Sequence, residues 1–269
     1  MTTYRDVPLV KPPVWTWEVP LYFFTGGAAG VAAVIAAAAH FSGPAFDALA
    51  RDGKWIAAIG GGISPLLLIS DLGRPARFLN MLRVFKLRSP MSVGAWTLVV
   101  FSTAAIAALL PLGLIAHVAT AVAGLSGAIL ATYTGVLIGA TAIPVWSRNV
   151  DILPIHFGAS GLGAAVSMLE LLGHRTAAMN ALGITAAVIE TILMLALMRR
   201  GSSSGALMHG AEALSGPVPL SLRVLGANVP ALRIAAAAIT LAGSMLTRFA
   251  WIAAGRRSAG AGTKAPAYR

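Results

Sequence analysis

An apolar run stops abruptly within the stretch Leu68-Ile69-Ser70-Asp71-Leu72-Gly73-Arg74-Pro75-Ala76-Arg77-Phe78-Leu79-Asn80-Met81. An acid, a glycine, an arginine and a proline stand where the run ends, and a short basic segment follows them. A second apolar run begins after this segment, at Ser89-Pro90-Met91. Because proline restricts the residue before it to extended geometry, a helix is expected to end at Arg74. The pattern predicts a membrane helix that leaves the bilayer and a second helix that re-enters it.

The composition indicates an integral membrane protein. Hydrophobic residues make up 57% of the 269 residues and charged residues 11%, whereas soluble proteins carry about 25% charged residues. The chain has no cysteine, which excludes cysteine-ligated iron–sulfur clusters and thiol catalysis within it. The net charge of +11 is not arranged as a basic stripe on a soluble domain. We therefore assign it to the loops of a membrane protein and not to nucleic-acid binding.

Apolar segments of roughly the 20 residues that a membrane crossing needs recur along the chain. They predict helices at about 20–41, 55–70, 91–110, 116–143, 152–172, 177–198 and 232–254. The long uncharged run from Ser89 to Ser147 is divided into two of these near Pro111. The chain is expected to be an all-α bundle at 20–255, between an N-terminal interfacial segment at 1–19 and a basic tail at 256–269.

The segment 201–230 is harder to assign, because it is more polar than the other apolar segments. We call the membrane side that holds the N-terminus face A and the opposite side face B. If this segment crosses, the arginines and lysines concentrate more strongly on face A, as the usual charge asymmetry of membrane proteins favours. The sequence thus predicts about eight transmembrane helices, seven clear and one irregular. The alternative is seven helices with an interfacial segment.

Ionisable residues inside apolar helices are costly in a membrane and are candidates for function. Asp71 ends predicted helix two, where it could cap the helix or form a polar wall for a ligand headgroup. His156, Glu170 and Glu190 could belong to a proton route. Alternatively, Glu190 and Arg248 could form one buried ion pair. The sequence leaves these interpretations open.

Two groups of aromatic residues are further candidates. Tyr133 lies inside predicted helix four, where its hydroxyl needs a partner on a neighbouring helix or on a ligand such as a quinone. Trp17, Glu18 and Tyr22 lie at the entrance of helix one, where an aromatic belt at the membrane interface is the simpler interpretation.

Several short motifs follow one another in order across nearly the whole chain. The most specific is Asp71-Leu72-Gly73-Arg74-Pro75-Ala76-Arg77-Phe78 with Ser89-Pro90-Met91-Ser92-Val93-Gly94-Ala95-Trp96 after it. The supporting motifs are Trp15-Thr16-Trp17-Glu18-Val19-Pro20-Leu21-Tyr22, Gly26-Gly27-Ala28-Ala29-Gly30, Tyr133-Thr134-Gly135, and Arg248 with Ala254-Gly255-Arg256. Together they resemble the NrfD/polysulfide reductase membrane-subunit family, which is quinone-reactive.

The resemblance implies a quinone/quinol-binding integral membrane subunit of a respiratory oxidoreductase complex, which is not catalytic alone. It implies electron exchange between a membrane quinone, menaquinone or ubiquinone, and a ferredoxin-like iron–sulfur partner subunit. A further catalytic subunit, a molybdopterin enzyme or a multihaem cytochrome, would belong to the complex. The chain itself is expected to hold no haem, iron–sulfur cluster or metal. The membrane would be the cytoplasmic (inner) membrane of a bacterium or archaeon.

Carried over position by position, the resemblance nominates Tyr22, Asp71 and Tyr133 for quinone binding at face A. We add Trp17, Glu18 and Arg74 because they lie near these residues. The basic loop after helix two is expected to dock the partner. Its docking candidates are Arg77, Phe78, Arg83, Lys86 and Arg88. The alternatives are a membrane transporter, or a pure membrane anchor without a quinone site.

Overall fold

The computed structural model describes residues 11–74, 76–202 and 205–261, and the regular structure of these residues is helical. The α-helices are α1 (Glu18–Phe41), α2 (Asp47–Leu72), α3 (Ala76–Met81), α4 (Pro90–Ala107), α5 (Leu114–Gly139), α6 (Pro144–Ser147), α7 (Leu153–Leu171), α8 (Ala177–Arg199), α9 (Ala206–Ser215), α10 (Pro217–Leu225) and α11 (Pro230–Ala261). Six of them, α1, α2, α4, α5, α8 and α11, are long and apolar enough to cross a membrane. The prediction of an all-α membrane bundle is confirmed.

Some of the predictions concern residues that lie outside the described part of the chain. They are the role of Pro75 in ending a helix, residues 1–10 of the N-terminal segment and residues 262–269 of the tail. Within the described part, α11 continues to Ala261, beyond the expected end of the bundle at residue 255. Helix α2 begins at Asp47, before the expected residue 55. Its first turns carry charged residues, so this part of the helix is not apolar and hydrophobicity alone does not predict it.

Helix α1 lies at the centre of the bundle and packs against α2, α5, α7 and α11. Helix α4 packs on α2 and α5, whereas α8, α9 and α10 surround α7 and α11. Glycines allow the central helices to approach closely, as small residues do in membrane bundles. Gly30 of α1 and Gly127 of α5 face each other, and a side chain at either would overlap the backbone of the other.

Gly127→Ala is expected to lower the stability of the bundle. The added methyl group meets the carbonyl oxygen of Gly30, and such overpacking costs about 1–3 kcal/mol. Gly62→Ala is the matched control, since open space surrounds that position in α2. The midpoint of thermal unfolding of the purified protein should fall for Gly127→Ala and stay level or rise slightly for Gly62→Ala. Equal midpoints for the two variants would contradict the close contact.

The segment that was difficult to assign forms the two short helices α9 and α10, which are broken apart at Gly216. Helix α9 begins beside the last turns of α11, because a side chain at Gly205 would overlap the guanidinium of Arg257. Helix α10 ends at the opposite face, where Arg223 pairs with Glu170 near the end of α7. The segment therefore runs from one end of the bundle to the other as two short helices, and the number of membrane crossings stays a prediction.

Ion pairs join the loops at both ends of the bundle. At face A, the Arg200 guanidinium donates hydrogen bonds of 2.8 and 2.7 Å to the two carboxylate oxygens of Asp151. These bonds lower the pKa of Asp151 to about 2, so its carboxylate stays ionised at physiological pH. At face B, His174 Nε2 lies 2.8 Å from Asp52 Oδ2. Because the face A pair is exposed, we expect it to orient the loops more than to stabilise the fold.

Candidate functional site

Tyr22 of α1 and Tyr133 of α5 lie in one hydrophobic core cluster in the face A half of the bundle. Their exposed fractions are 2% and 7%, and their phenol groups are close enough to interact electrostatically. Gly94, near the start of α4, makes room for Tyr133, because any side chain there would overlap its ring and hydroxyl. Three helices therefore converge on the two phenol groups.

No hydrogen bond joins either tyrosine hydroxyl to a residue that the structure describes, and neither hydroxyl oxygen is among the fully enclosed polar atoms that lack a partner. A buried tyrosine hydroxyl normally finds one. Thr25, three residues after Tyr22 in α1, has its hydroxyl oxygen 3.0 Å from that of Ser64 in α2, and these two hydroxyls pair with each other. The phenol groups of Tyr22 and Tyr133 are thus donors available to an acceptor group of a ligand.

The end of α2 brings Asp71 next to the segment that precedes α1. Thr16 approaches the Asp71 carboxyl with its backbone and its hydroxyl, and the Glu18 carboxylate lies close by. The Thr16 hydroxyl also donates a hydrogen bond to Glu18. Glu18 begins α1 one turn before Tyr22, which is about 6 Å along the helix axis. Asp71, Thr16 and Glu18 therefore form a polar entrance on the face A side of the tyrosines.

Trp17 and Arg74, which the sequence analysis added to the site, are both exposed at this corner of the protein. Gly73, just before Arg74, takes a left-handed conformation with φ of 67° and ends α2. Arg77 then donates a hydrogen bond of 3.3 Å to the carbonyl of Leu72, one of the carbonyls that a helix end leaves free. The motif thus ends the helix sharply beside the polar entrance.

The Ser-Pro-Met-Ser motif starts α4 and folds the basic loop onto it. The Ser89 hydroxyl accepts a hydrogen bond from the Ser92 N–H and so caps the helix, while Pro90 occupies the first helical position, where its missing N–H costs nothing. The Ser92 hydroxyl donates to the carbonyl of Val84 at 3.1 Å and accepts from the Lys86 N–H at 3.0 Å. The loop therefore has a fixed path over the start of α4.

One of the five docking candidates needs correction. Phe78 is buried, with 7% exposure, and belongs to the same core cluster as the two tyrosines. It lies in the short helix α3, which turns its ring inward, so Phe78 is not part of an exposed docking surface. The other four, Arg77, Arg83, Lys86 and Arg88, are exposed. The sequence did not reveal this difference, because α3 is not separable from the surrounding loop by its pattern.

Sequence reasoning missed an aromatic wall beside the tyrosines. The ring of Trp15 stacks on Trp146 at 5.5 Å and meets Phe23 edge-on at 6.2 Å. The Trp146 indole N–H donates a hydrogen bond of 2.9 Å to the carbonyl of Trp251. The sequence offered one partial signal, the tryptophans at the entrance of helix one, where an interfacial belt was the simpler interpretation. In the structure they instead join the N-terminal segment to α6 and α11.

His156 of α7 and Glu190 of α8 form a buried contact, with 3.1 Å between Nε2 and the carboxylate. The Ser215 hydroxyl donates to the same carboxylate oxygen at 2.8 Å, and the Trp251 indole N–H donates to His156 Nδ1 at 3.4 Å. We assign the imidazole proton to Nε2, because Nδ1 accepts a hydrogen bond. His156 Nε2 thus lies within ion-pair distance of the Glu190 carboxylate, although its N–H makes no hydrogen bond with it.

Arg248 has different partners from those expected. Its guanidinium lies 3.9 Å from the centre of the Phe157 ring and donates a hydrogen bond of 2.9 Å to the carbonyl of Phe157. It interacts with Glu190 electrostatically, but the carboxylate has its close contact with His156, 3.1 Å from Nε2. The expected Glu190–Arg248 pair is thus replaced, because α7 presents His156 directly to α8.

Glu170 lies in a separate polar cluster at the face B end. Its carboxylate is 2.8 Å from Arg223 Nη1 and 2.5 Å from Arg233 Nη2, and all three side chains are at least nine-tenths buried. The structure therefore brings together two of the three proton-route candidates, His156 and Glu190, and places Glu170 apart from them. Sequence reasoning missed both arginines as its partners, because Arg223 lies in the segment whose crossing was uncertain and Arg233 follows it closely.

A model of the family described as "Polysulphide reductase, NrfD" matches residues 7–211 of this chain, which is more than half of its length. The chain belongs to the NrfD family. It is also similar to the C subunit of polysulfide reductase from Wolinella succinogenes, with 28% identity over 187 residues. That similarity covers 60% of this chain and 58% of the relative, so less than two thirds of the relative's length is matched.

The matched part of this NrfD protein contains Tyr22, Asp71 and Tyr133 together with His156 and Glu190. Helices α10 and α11 lie beyond it. Among the described residues, no group of three or more histidines and acids is arranged to hold a metal ion. The family match and the six membrane-spanning helices show an integral membrane protein of the NrfD family.

Proposed function

We propose that this NrfD protein is the quinone-binding membrane subunit of a respiratory oxidoreductase complex in a bacterial or archaeal cytoplasmic membrane. The observation that carries the proposal is the pair of buried phenol groups of Tyr22 and Tyr133, which lack partners in the described chain. Electrons would pass between the quinone and an iron–sulfur partner subunit, so this chain would not be catalytic alone.

The residues present fit a quinone headgroup. A quinone has carbonyl oxygens that accept hydrogen bonds, and it carries electrons together with protons. Tyr22 and Tyr133 supply two neighbouring donors within an apolar core, where a hydrogen bond that is left unmade is costly. The two tyrosines would hold and orient the ring of menaquinone or ubiquinone. Their buried position would exclude bulk water from it.

An apolar groove one helical turn from Tyr133 supports the proposal, since a quinone also needs room for its isoprenoid tail. The groove has a volume of about 450 Å³ and lies between α4 and α5. Its lining residues are Phe85, Trp96, Thr97, Val100, Ser126 and Ile129. Ile129 precedes Tyr133 by one helical turn, and the tyrosines themselves do not line the groove. The tail would therefore lie in the groove and pass between α4 and α5 to reach the tyrosine pair.

Protons would be exchanged through the polar entrance at face A. Asp71 is partly exposed, contacts Thr16 and lies near Glu18, so its carboxyl could exchange protons with water beside the membrane. His156 and Glu190 are the candidates for a route deeper in the bundle, because His156 Nε2 lies 3.1 Å from the Glu190 carboxylate and both side chains are buried. We assign Glu170 an ion-pair role instead.

The iron–sulfur partner would dock at face A over the basic loop that precedes α4. Its exposed cations, Arg83, Lys86 and Arg88, alternate with apolar side chains that are also exposed: Val84 at 58%, Phe85 at 52% and Leu87 at 78%. Exposed apolar side chains among charges are typical of an interaction surface. A further catalytic subunit, a molybdopterin enzyme or a multihaem cytochrome, would bind to the iron–sulfur subunit.

Purification of the native complex tests this proposal. The full-length chain, tagged and expressed in its own organism, should co-purify with a subunit that contains iron–sulfur clusters, and lipid extraction should release quinone in a fixed ratio to the chain. A partner without quinone would favour the pure anchor. Purification without either would favour the transporter and contradict the proposal.

A further inference from the structure

The cluster at the face B end carries an unbalanced buried charge. Arg223 and Arg233 share the single carboxylate of Glu170, and the exposed fractions of these side chains are 0%, 7% and 1%. Within the described chain, no second carboxylate forms an ion pair with either arginine. One positive charge is therefore left without a counter-charge in the interior of the bundle, where a charge that is not paired is strongly unfavourable.

Backbone groups satisfy part of this cluster but do not neutralise it. Arg233 donates to the carbonyls of Arg175 and Thr176 at 2.6 and 3.0 Å. The Nε atoms of Arg223 and Arg233 are buried and have no hydrogen-bond partner. Guanidinium N–H groups of this kind are donors that suit oxyanions.

A cavity of about 420 Å³ adjoins Arg233 and opens at face B. Its polar lining consists of Arg233, Arg175, Asn180 and Asn228. Arg175 and Asn228 are exposed at its rim, and the side chain of Asn180 is buried at its wall. The carboxylates of the described chain do not line it. The cavity therefore gathers donors and positive charge next to the unbalanced arginine.

Two long helices begin at the same cavity. Ala177 is the first residue of α8 and Pro230 the first residue of α11, and both line the cavity wall. The N-terminal end of a helix carries partial positive charge and favours anions. The partial positive charge of the helix ends adds to the charge of the buried arginines. The unbalanced arginine charge is the observation that points to a ligand.

We propose that this face B cavity binds a phosphate-type oxyanion, which neutralises the excess charge of the Glu170–Arg223–Arg233 cluster. The volume and the forked donors suit a tetrahedral oxyanion better than a single-atom ion. The phosphate could belong to the headgroup of an anionic phospholipid, because the cavity lies at the membrane end of the helices, or to free phosphate. The site is at the opposite face from the tyrosine pair and does not depend on the quinone proposal.

Thermal unfolding of the full-length protein tests the site. In the first arm, the protein in an uncharged maltoside detergent is titrated with inorganic phosphate, with potassium chloride of equal ionic strength as reference. In the second arm, the protein is placed in nanodiscs of phosphatidylcholine with or without phosphatidylglycerol. The variants are Arg175→Gln and Asn228→Ala, which lie at the rim and spare the buried ion pairs. Arg51→Gln is the control, an exposed arginine on the same face outside the cavity.

We expect a saturable rise in the unfolding midpoint of the wild-type protein with one or both probes. A response to phosphatidylglycerol alone identifies a lipid headgroup as the ligand. A response to inorganic phosphate shows that the phosphate group alone is sufficient for binding. Each rim variant should raise the probe concentration for half-saturation about tenfold, as the loss of a hydrogen bond to a charged group does. Arg51→Gln should behave as the wild type. No saturable rise with either probe, or equal responses of wild type and both rim variants, would overturn the site.

Discussion

Glu170→Gln should cause the largest loss of folded protein among single substitutions in this chain. The carboxylate of Glu170 is the shared partner of two buried arginines, Arg223 and Arg233. Its neutralisation leaves two buried positive charges without an ionic partner, and breaking a buried ion pair from one side costs about 3–5 kcal/mol. The yield of monodisperse protein after size-exclusion chromatography measures the effect, together with the midpoint of thermal unfolding.

Glu190→Gln is the matched control for this prediction. Its partner His156 can be neutral, and the Ser215 hydroxyl can still donate to the amide oxygen of glutamine. The loss in the free energy of unfolding should therefore be about 1–3 kcal/mol, the cost of one buried polar group left without a partner. If Glu190→Gln reduced the folded yield as much as Glu170→Gln, the assignment of the two charge clusters would be wrong.

The second large effect is expected from removing both phenol hydroxyls. Tyr22→Phe with Tyr133→Phe should lower quinone-linked turnover of the intact complex about tenfold or more, because two hydrogen bonds of about 0.5–1.5 kcal/mol each are lost. Each single variant should lose activity several-fold. The partner's clusters should still be reducible, since the ring volumes are unchanged and the complex stays assembled.

Thr132→Val is the control for the tyrosine variants. It removes a hydroxyl next to Tyr133 in sequence, but this hydroxyl bonds only to carbonyls of its own helix. Asp71→Asn should also reduce turnover, because it removes the proton-exchanging carboxyl at the entrance. Full turnover in the double tyrosine variant would move the quinone site elsewhere in the bundle.

Much of the fold could be predicted from the sequence because a bilayer demands long apolar helices. The limits of this signal explain the errors in helix ends. The charged first turns of α2 and the end of α11 lie where helices extend beyond the apolar part, and hydropathy does not register them. The segment around Gly216 remained ambiguous, because two helices of 10 and 9 residues are each too short to be recognised as a crossing.

The site was predictable only in part. Tyr22, Tyr133 and Asp71 were nominated through a family resemblance, and the structure brings the two tyrosines together. The partners of the buried charges were not predictable, because they depend on how helices rotate against one another. Glu190 contacts His156 and not Arg248, because α7 presents His156 directly to α8. Phe78 turns inward because it lies in the short helix α3, which the hydrophobic pattern of the sequence does not indicate.

Photoaffinity labelling with an azido-quinone tests the central claim most directly. The intact complex in native membranes is illuminated with the probe, with and without excess unmodified quinone, and the labelled peptides are identified by mass spectrometry. We expect competable labelling of the first turns of α1 around Tyr22 and of the end of α5 around Tyr133, and loss of this labelling in the double phenylalanine variant. Competable labelling confined to other helices, or labelling that the double variant leaves unchanged, would contradict it.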